Sequence, residues 1–510
     1  MAVETAPSPM HRSWTGRTAN PVAPTTLPAA AKSGPPFCRL FPSLPPFRPD
    51  DESLIALGKA MEDHGNPNLA TSPIPSGFTY LGQFICHDIT SNRSRNRALD
   101  SEPNPAPAFS SALNLDQLYG RGPQDDAELY EEDGIRLRIG HTTGRARFGV
   151  TETFANDLPR HFSPDPRAPR PAIIGDPRND ENLALAQTHV ALLKFHNKVV
   201  DRLEGDGVEG PHLFKQAYRQ VVQHYQSIAL YDFVRRIAAA SVYDDVLTHG
   251  RSVFLPNGLS ESNGVSAPLE FAFAAYRFGH SMVRNAYQWN SVFNTKARAR
   301  SMPRVRSLLE HSQRSGKLGG CATLPSDWIV DWRRLYDFGE RRGGVRHPQL
   351  NFTPLIDTWV ARKLQQLPEF ANAKERHMQS LPVRDLVRGR NVGLPTGQDI
   401  ARWIGAQPLT PAELTSGPQG AVITAHGFET QTPLSYYILK EAEVQQGGER
   451  LGEVGSRIIV ETFHGLIEGS PHSILQDPTW RPELPSQHRH HFTMLDLLEF
   501  VDDINPLGGW

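Results

Sequence analysis

The sequence predicts a mainly α-helical fold, built as a single large domain with long loops and little strand. Residues on one helical face recur at spacings of four and three within Glu181–Leu203, namely Leu185, His189, Leu192, His196, Val199 and Leu203. Residues 211–247 show a similar repeat, whereas the alternation typical of strands is scarce. The chain has 43 prolines in 510 residues, many of them in irregular stretches such as Pro21–Pro49, which indicates long loops.

Shorter helices are predicted at Leu355–Leu364, Gly397–Ile404 and Gly452–Glu468. The sequence Thr410-Pro411-Ala412-Glu413 is typical of a capping box with proline at the first helical position. Residues Met1–Pro36 are rich in Ala, Pro, Thr and Ser and poor in bulky apolar groups. Such a composition predicts a flexible tail that precedes one globular domain, residues 37–510.

Charge and composition exclude several classes of partner. The net charge is -2 and the pI about 6.9, so no large basic face is expected for nucleic acid or anionic lipid. Three cysteines do not make a disulfide framework. No stretch approaches the ~18 apolar residues of a membrane span, and residues 1–20 lack the apolar run of a signal peptide. We therefore expect a cytoplasmic protein without a membrane span, and the sequence leaves its oligomeric state open.

Four segments carry residues suited to catalysis, and their order is more informative than any one of them. Taken alone, the first is a turn with His and Asp, the second a helix cap, and the third a helix with one core histidine. The segments are Gly82-Gln83-Phe84-Ile85-Cys86-His87-Asp88, Gly175-Asp176-Pro177-Arg178-Asn179-Asp180-Glu181, Arg277-Phe278-Gly279-His280, and Asp385–Pro395.

In this order the segments resemble the animal haem peroxidases, a superfamily that includes myeloperoxidase, lactoperoxidase, peroxidasin and the cyclooxygenases. The resemblance runs from about Phe41 to Pro395 and continues more weakly to the end of the chain. It implies a helical haem peroxidase domain that binds haem b. Such a domain would reduce hydrogen peroxide or an organic peroxide and oxidise a small-molecule electron donor such as a phenol or iodide.

The resemblance also implies the roles of the distal residues. His87 would move a proton between the two peroxide oxygens, because the pKa of an imidazole lies near working pH. Arg178 would stabilise the negative charge that grows on the leaving oxygen, since it stays protonated and presents fixed donors. Gln83 would line the distal pocket and hold water or a small anion near the iron.

On the proximal side, the resemblance implies that His280 is the iron ligand and that Arg277 lies at the haem. Asp385 would support His280, at a position where the mammalian enzymes carry Asn. A carboxylate partner should give the histidine more imidazolate character and lower the iron potential.

Two positions bear on covalent attachment of the haem. Glu181 matches the family carboxylate that can esterify a haem methyl, whereas Cys86 stands where an Asp would make the other ester. A thiol cannot make that ester. We therefore expect at most one ester, through Glu181, with Cys86 as a small buried apolar residue. A thioether to haem and a redox-active thiol are the alternatives.

Calcium is the second cofactor that the resemblance implies. Asp88 would join a loop of oxygen donors, with side-chain oxygens from Ser110, Asn114 and Asp116 and the carbonyl of Ala112. Hard oxygen donors of this kind suit calcium. Asn114 stands where relatives usually have Asp, which removes one negative charge.

Two alternative functions remain open from the sequence. A fatty-acid dioxygenase of the same superfamily needs a tyrosine three residues before the proximal histidine, and Arg277 occupies that position. Tyr276 is one residue away, which on a helix is a rotation of about 100°. A non-catalytic binding scaffold is the other alternative, although a scaffold would have no need to retain His87, Arg178 and His280 together.

Overall fold

A computed structural model describes residues 37–64, 70–90, 111–145, 149–165, 168–255, 265–296, 302–339 and 346–508. The predicted flexible tail, residues 1–36, lies outside these ranges. The α-helices of the described residues are α1 (Asp51–Ala60), α2 (Gly77–Ile89), α3 (Asp116–Tyr119), α4 (Leu183–Gly205), α5 (Pro211–Ser227), α6 (Arg235–Ile237), α7 (Ala240–His249), α8 (Leu269–Phe273), α9 (Val305–Glu310), α10 (Gln313–Gly316), α11 (Leu381–Asn391), α12 (Gly397–Trp403), α13 (Pro411–Leu414), α14 (Gly420–Ala425), α15 (Leu434–Gln446), α16 (Glu453–Glu468) and α17 (Met494–Val501).

Short 3-10 helices supply much of the remaining regular structure, and two of them carry candidate site residues. They are Ala127–Leu129, Pro177–Asp180, Ala275–His280, Lys317–Gly320, Ser326–Trp328, Trp332–Arg334, Arg362–Gln365, Pro368–Phe370 and Arg376–Gln379. The prediction of a mainly α fold with long loops and little strand is confirmed.

Helix α4 is the long helix predicted from the spacing of its apolar residues. It begins after Asn182, whose side chain accepts a hydrogen bond from the Leu185 amide and so caps the helix. The predicted face is buried, and α4 packs against α2, α5 and α17. His189 and His196 lie on this face as buried, hydrogen-bonded residues.

The helical stretch predicted over residues 211–247 is interrupted twice. Helix α5 continues into a π-helical segment, Ile228–Val234, before the short α6. The chain then leaves the helix at Ala238, and the next amide, Ala239, donates to the Ser456 hydroxyl. The π-helical segment places Phe233 so close to α2 that a Cβ on Gly82 would lie 2.8 Å from its ring.

Two strands pair in the described residues, β1 (Thr71–Pro75) and β2 (Phe352–Pro354), in antiparallel orientation. The prediction of a helix at Leu355–Leu364 is wrong. After β2 the Asp357 side chain accepts from the Trp359 amide, and the Val360 amide donates to the Met61 carbonyl. Because the Trp359 and Val360 amides donate to these acceptors, they do not make the hydrogen bonds of an α-helix. Only the 3-10 turn Arg362–Gln365 forms.

The helices predicted at Gly397–Ile404 and Gly452–Glu468 are confirmed within one residue at each end, as α12 and α16. The capping box at Thr410 and Glu413 is also confirmed, with both reciprocal hydrogen bonds. None of the helices in the described ranges combines the length and apolar character that crossing a membrane requires.

Candidate active site

Three of the four motif segments line one cavity of about 700 Å³, and the fourth supplies Asp385, which contacts His280. The lining includes residues of helix α2, of the turn Pro177–Asp180 and of the 3-10 helix Ala275–His280. Apolar side chains, among them Leu308 and Leu367, extend the lining away from the motif residues. The volume falls in the usual range for small-molecule and cofactor sites.

His87 lines the cavity near the end of α2, and its Nδ1 lies 2.8 Å from the side-chain oxygen of Asn179. Burial and the nearby Arg178 lower the pKa of His87 to about 3. The imidazole is therefore neutral, and one of its two nitrogens keeps a lone pair that can accept a proton.

Arg178 is held in the same wall by three separate partners. Its Nε and Nη2 donate to the Asp176 carboxylate, Nη1 donates to the Thr90 hydroxyl at 3.2 Å, and Nη2 also donates to the His87 carbonyl at 2.9 Å. Burial would raise the pKa of Asp176, but the Arg178 charge outweighs it and lowers that pKa to about 2. The pair is thus charged, and the guanidinium has a fixed orientation beside His87.

Gln83 and Glu181 form a hydrogen-bonded group next to His87. The Gln83 amide nitrogen donates to Oε1 of Glu181, and the Asn182 side chain donates to the Gln83 carbonyl oxygen at 3.0 Å. Oε1 of Glu181 lies 3.7 Å from Nε2 of His87. Both ends of the Gln83 amide thus contact protein groups, and a carboxylate faces the region where Gln83 was expected to hold a small anion.

The proximal candidates lie on the 3-10 helix Ala275–His280 and on α11. His280 ends the 3-10 helix Ala275–His280, and its Nδ1 contacts Oδ2 of Asp385 on α11 at 2.7 Å. A carboxylate that accepts from Nδ1 leaves Nε2 as the metal-binding nitrogen and increases its basicity. Arg277 also lines the cavity, and its guanidinium lies 5.9 Å from the ring centre of Phe273.

One hydroxyl connects the proximal segment to the distal helix. Tyr276 donates to the Gly82 carbonyl at 3.0 Å, and its ring stacks on Phe463. The Tyr276 hydroxyl therefore donates its hydrogen bond to a backbone carbonyl.

Cys86 lines the cavity next to His87 in sequence. Burial raises the pKa of its thiol, so the sulfur is present as a thiol rather than a thiolate. This chemistry agrees with the interpretation of Cys86 as an unreactive apolar residue.

The cavity residues fit a haem group. His280 offers an imidazole nitrogen oriented by Asp385, and His87 and Arg178 line the same cavity. Gly279 lines the cavity, and a Cβ added there would meet no atom within 4 Å. The glycine beside the candidate ligand therefore leaves open space where a flat ring system could lie against the chain.

The calcium candidates are only partly brought together. Oδ2 of Asp88 accepts from the Leu115 amide at 3.2 Å, and burial raises the pKa of Asp88 to about 7. Asn114 instead accepts from the Ser470 hydroxyl at 2.7 Å, while Ala112 is buried and Asp116 begins α3. Ser110 lies outside the described residues. Across the described ranges, no group of three or more His, Cys, Asp or Glu side chains is arranged to hold a metal ion.

Sequence reasoning missed three residues that organise the distal wall. Asp176 orients Arg178, and Asn179 orients His87, although both belong to the second motif. Gln117 contacts Asn179 from 62 positions away, and no local pattern marks it. The second motif requires glycine at position 175 for a steric reason, because a Cβ there would lie 2.5 Å from the Gln117 carbonyl oxygen.

The family model for animal haem peroxidase matches residues 81–470. This chain belongs to the animal haem peroxidase family. Peroxidasin homolog pxn-1 from Caenorhabditis elegans is 25% identical over 181 residues, which are 34% of this chain and 14% of that relative. The chain thus spans only a small part of the length of this curated relative.

Two solved structures share the fold. Peroxidase A from Dictyostelium discoideum superposes with a TM-score of 0.60 at 17% identity, covering 98% of each chain. A fatty acid alpha-dioxygenase from Arabidopsis thaliana gives a TM-score of 0.56 at 13% identity, covering 93% of this chain and 77% of that one. At these identities the similarity concerns the fold alone.

Proposed function

We propose that this protein is a haem-dependent peroxidase that reduces hydrogen peroxide or an organic peroxide and oxidises a small reductant. The observation that carries the proposal is the arrangement of two histidines on one cavity. His280 is supported by Asp385, and His87 lies beside the oriented Arg178 in the same cavity. His280 and Arg277 would hold haem b, whose iron supplies the two-electron chemistry.

The distal residues support the proton movements that peroxide cleavage requires. Nε2 of His87 would take the proton from one peroxide oxygen and deliver it to the other, which leaves as water. The Arg178 guanidinium would stabilise the charge on the leaving oxygen. Because Asp176 already fixes this guanidinium, little reorientation is needed during the reaction.

The environment of His87 favours neutral donors over small anions. The Glu181 carboxylate lies 3.7 Å from Nε2 of His87 and would repel a halide that approaches it. Asp385 would also lower the oxidising power of the iron through His280. We therefore propose phenols as electron donors, iodide as a weaker one, and little oxidation of chloride.

The fatty-acid dioxygenase remains the alternative, because a plant enzyme of that type shares the fold. Against it, Arg277 stands where the dioxygenase tyrosine is expected, and the Tyr276 hydroxyl donates to Gly82. A binding scaffold is disfavoured by the combined distal and proximal geometry.

The proposal includes a calcium ion at Asp88, supported by the buried carboxyl there and the family resemblance. Chelation of calcium from the holoprotein, which should lower its thermal stability, tests it.

The direct test of function is an absorption spectrum of the full chain with haem, before and after one equivalent of hydrogen peroxide. A histidine-ligated haem spectrum that changes within seconds and returns on addition of a phenol is expected. Unchanged spectra would contradict peroxidase function, and oxygen uptake with a fatty acid would favour the dioxygenase.

Arg178→Lys sharpens this test. The variant keeps the positive charge but cannot contact Asp176, Thr90 and the His87 carbonyl together. The rate of peroxide cleavage should fall by about two to three orders of magnitude, the scale for the loss of one such donor. Stopped-flow kinetics measures the effect, with Arg121→Lys as the control because Arg121 forms an exposed ion pair with Asp126 and does not line the cavity. An unchanged rate in Arg178→Lys would remove Arg178 from the mechanism.

A further inference from the structure

Three fully buried side chains form a hydrogen-bonded group that is joined to Nδ1 of His87. Asn179, Gln117 and His189 each have 0% exposed area. Asn179 contacts all the other members: its Oδ1 lies 2.8 Å from Nδ1 of His87, and its Nδ2 donates to Gln117 at 2.7 Å and to Nδ1 of His189 at 2.9 Å. Asn179 itself does not line the cavity.

The hydrogen bonds of this group can be followed in one direction, from Gln117 to His87. The Gln117 amide nitrogen donates to the Phe84 carbonyl at 2.9 Å, and a carbonyl oxygen only accepts. The Gln117 side-chain oxygen therefore points to Asn179 and accepts from its nitrogen. This fixes the Asn179 amide so that its oxygen faces His87.

An oxygen that faces Nδ1 of His87 requires that nitrogen to carry the proton. With the proton on Nε2 instead, the lone pairs of Nδ1 and of the Asn179 oxygen would face each other in a buried site, which is costly. Nδ1–H leaves Nε2 as the acceptor on the cavity side, near Glu181.

We propose that Asn179 is a positioning residue that holds the His87 proton on Nδ1, and that Gln117 sets the orientation of Asn179. The catalytic importance of this tautomer rests on the proposed function, because Nε2 must be unprotonated to take a proton from peroxide. The tautomer itself is a property of the chain. Gln117 lies one residue after Asp116 at the start of α3, so this short helix contributes to the state of a histidine on α2.

The test is nuclear magnetic resonance of the full chain labelled with ¹⁵N-histidine, with diamagnetic zinc protoporphyrin in place of haem. The His87 signals are identified by their loss in His87→Ala. In the unmodified chain, Nδ1 of His87 should carry the proton. In Asn179→Leu, which keeps the approximate shape but offers no acceptor, a population with the proton on Nε2 should appear.

Kinetics of the haem-loaded protein provide the second measurement. Asn179→Leu should keep its haem content and lose about 10- to 100-fold in the rate of peroxide cleavage, the usual range for a residue that orients a functional histidine. Asn197→Leu is the matched control, because Asn197 lies on α4, the helix that follows Asn179, and makes two hydrogen bonds, both to Leu137. This control should leave the tautomer and the rate unchanged.

Two results would overturn the proposal. One is a proton on Nε2 of His87 in the unmodified chain, and the other is an unchanged tautomer in Asn179→Leu. If Asn179→Leu fails to fold, Gln117→Leu replaces it, and a population with the proton on Nε2 is again expected, its absence counting against the proposal. A chain that binds no porphyrin still reports its tautomer, so failure of the peroxidase proposal and failure of this one are distinguishable.

Discussion

The two cavity histidines have different partners, and each partner suits one task. A carboxylate, Asp385, contacts His280, whereas an amide, Asn179, contacts His87. A carboxylate makes an imidazole a stronger electron donor, as an iron ligand requires. An amide fixes the tautomer without adding charge, and the imidazole stays neutral, as a proton carrier requires.

The first prediction separates these two roles. His280→Ala should lose most of the bound haem, because it removes the proposed iron ligand. His87→Ala should keep the haem but lose rapid peroxide cleavage. Haem content by pyridine haemochrome and stopped-flow rates measure the two effects. Normal haem content together with turnover in His280→Ala would show that another residue binds the iron.

The second prediction concerns covalent attachment. Mass spectrometry of the denatured holoprotein should find free haem or a single haem adduct at Glu181, because the Cys86 thiol cannot form an ester. Cys86→Asp places a carboxylate on the same cavity wall, and after turnover with peroxide it should gain a second adduct. A haem adduct at Cys86 in the unmodified protein would contradict this interpretation.

At the residue scale, the sequence motifs identified side chains that do line one cavity, among them His87, Arg178 and His280. Their identification depended on the order of four motifs. Gln117 could not be found in this way, because its contact with Asn179 depends on how α3 packs against the segment before α4.

At the element scale, helices with a regular apolar face were predictable and segments governed by tertiary contacts were not. Helix α4 follows its own periodicity and has its cap at Asn182. The chain after α5 has similar periodicity, but contacts with α2 and Ser456 shift it into a π-helical segment and then end the helix. The segment after β2 fails as a helix because the Asp357 side chain and the Met61 carbonyl take its backbone donors.

The third prediction belongs to the connection between α2 and α3. Calcium bound at Asp88 would stabilise this connection, so chelation should lower the thermal unfolding midpoint of the holoprotein by a few degrees, on the order of 1–3 kcal/mol of binding free energy. Asp88→Ala should lower the midpoint and abolish the chelator effect. Asp133→Ala, which loses an exposed ion pair with Arg136 and the acceptor of the Ile135 and Arg136 amides, should retain the chelator effect.

Elemental analysis completes this test, since active protein should contain about one calcium per chain, the stoichiometry of a single site. Active protein without calcium would refute the site.

At the scale of the whole molecule, the core contains histidines that the folded state keeps neutral. Burial lowers the pKa of His196 and of His224 to about 4. Nε2 of His224 accepts from the Glu483 and Leu484 amides, and Nδ1 of His196 contacts the Tyr119 hydroxyl. Protonation would remove these acceptors.

The fourth prediction follows from these pKa values. An unfolded histidine has a pKa near 6.5, so the unfolded chain binds protons first as the pH falls. The stabilisation is complete above about pH 6.5 and is lost between there and about pH 4, at up to about 1.4 kcal/mol per pH unit for each histidine. Urea unfolding at several pH values should show this slope. His224→Gln should reduce the slope, and the same change at the exposed His64 should not.

The hydrogen bond from Tyr276 to Gly82 makes the width of the cavity a property of the polypeptide. It links helix α2 directly to the 3-10 helix that carries His280. Helix α2 is also held by Phe233, whose ring fills the space into which a larger residue at position 82 would project. The folded polypeptide therefore sets the spacing between these two elements before any cofactor binds. A flat cofactor would then bind with little rearrangement of either element.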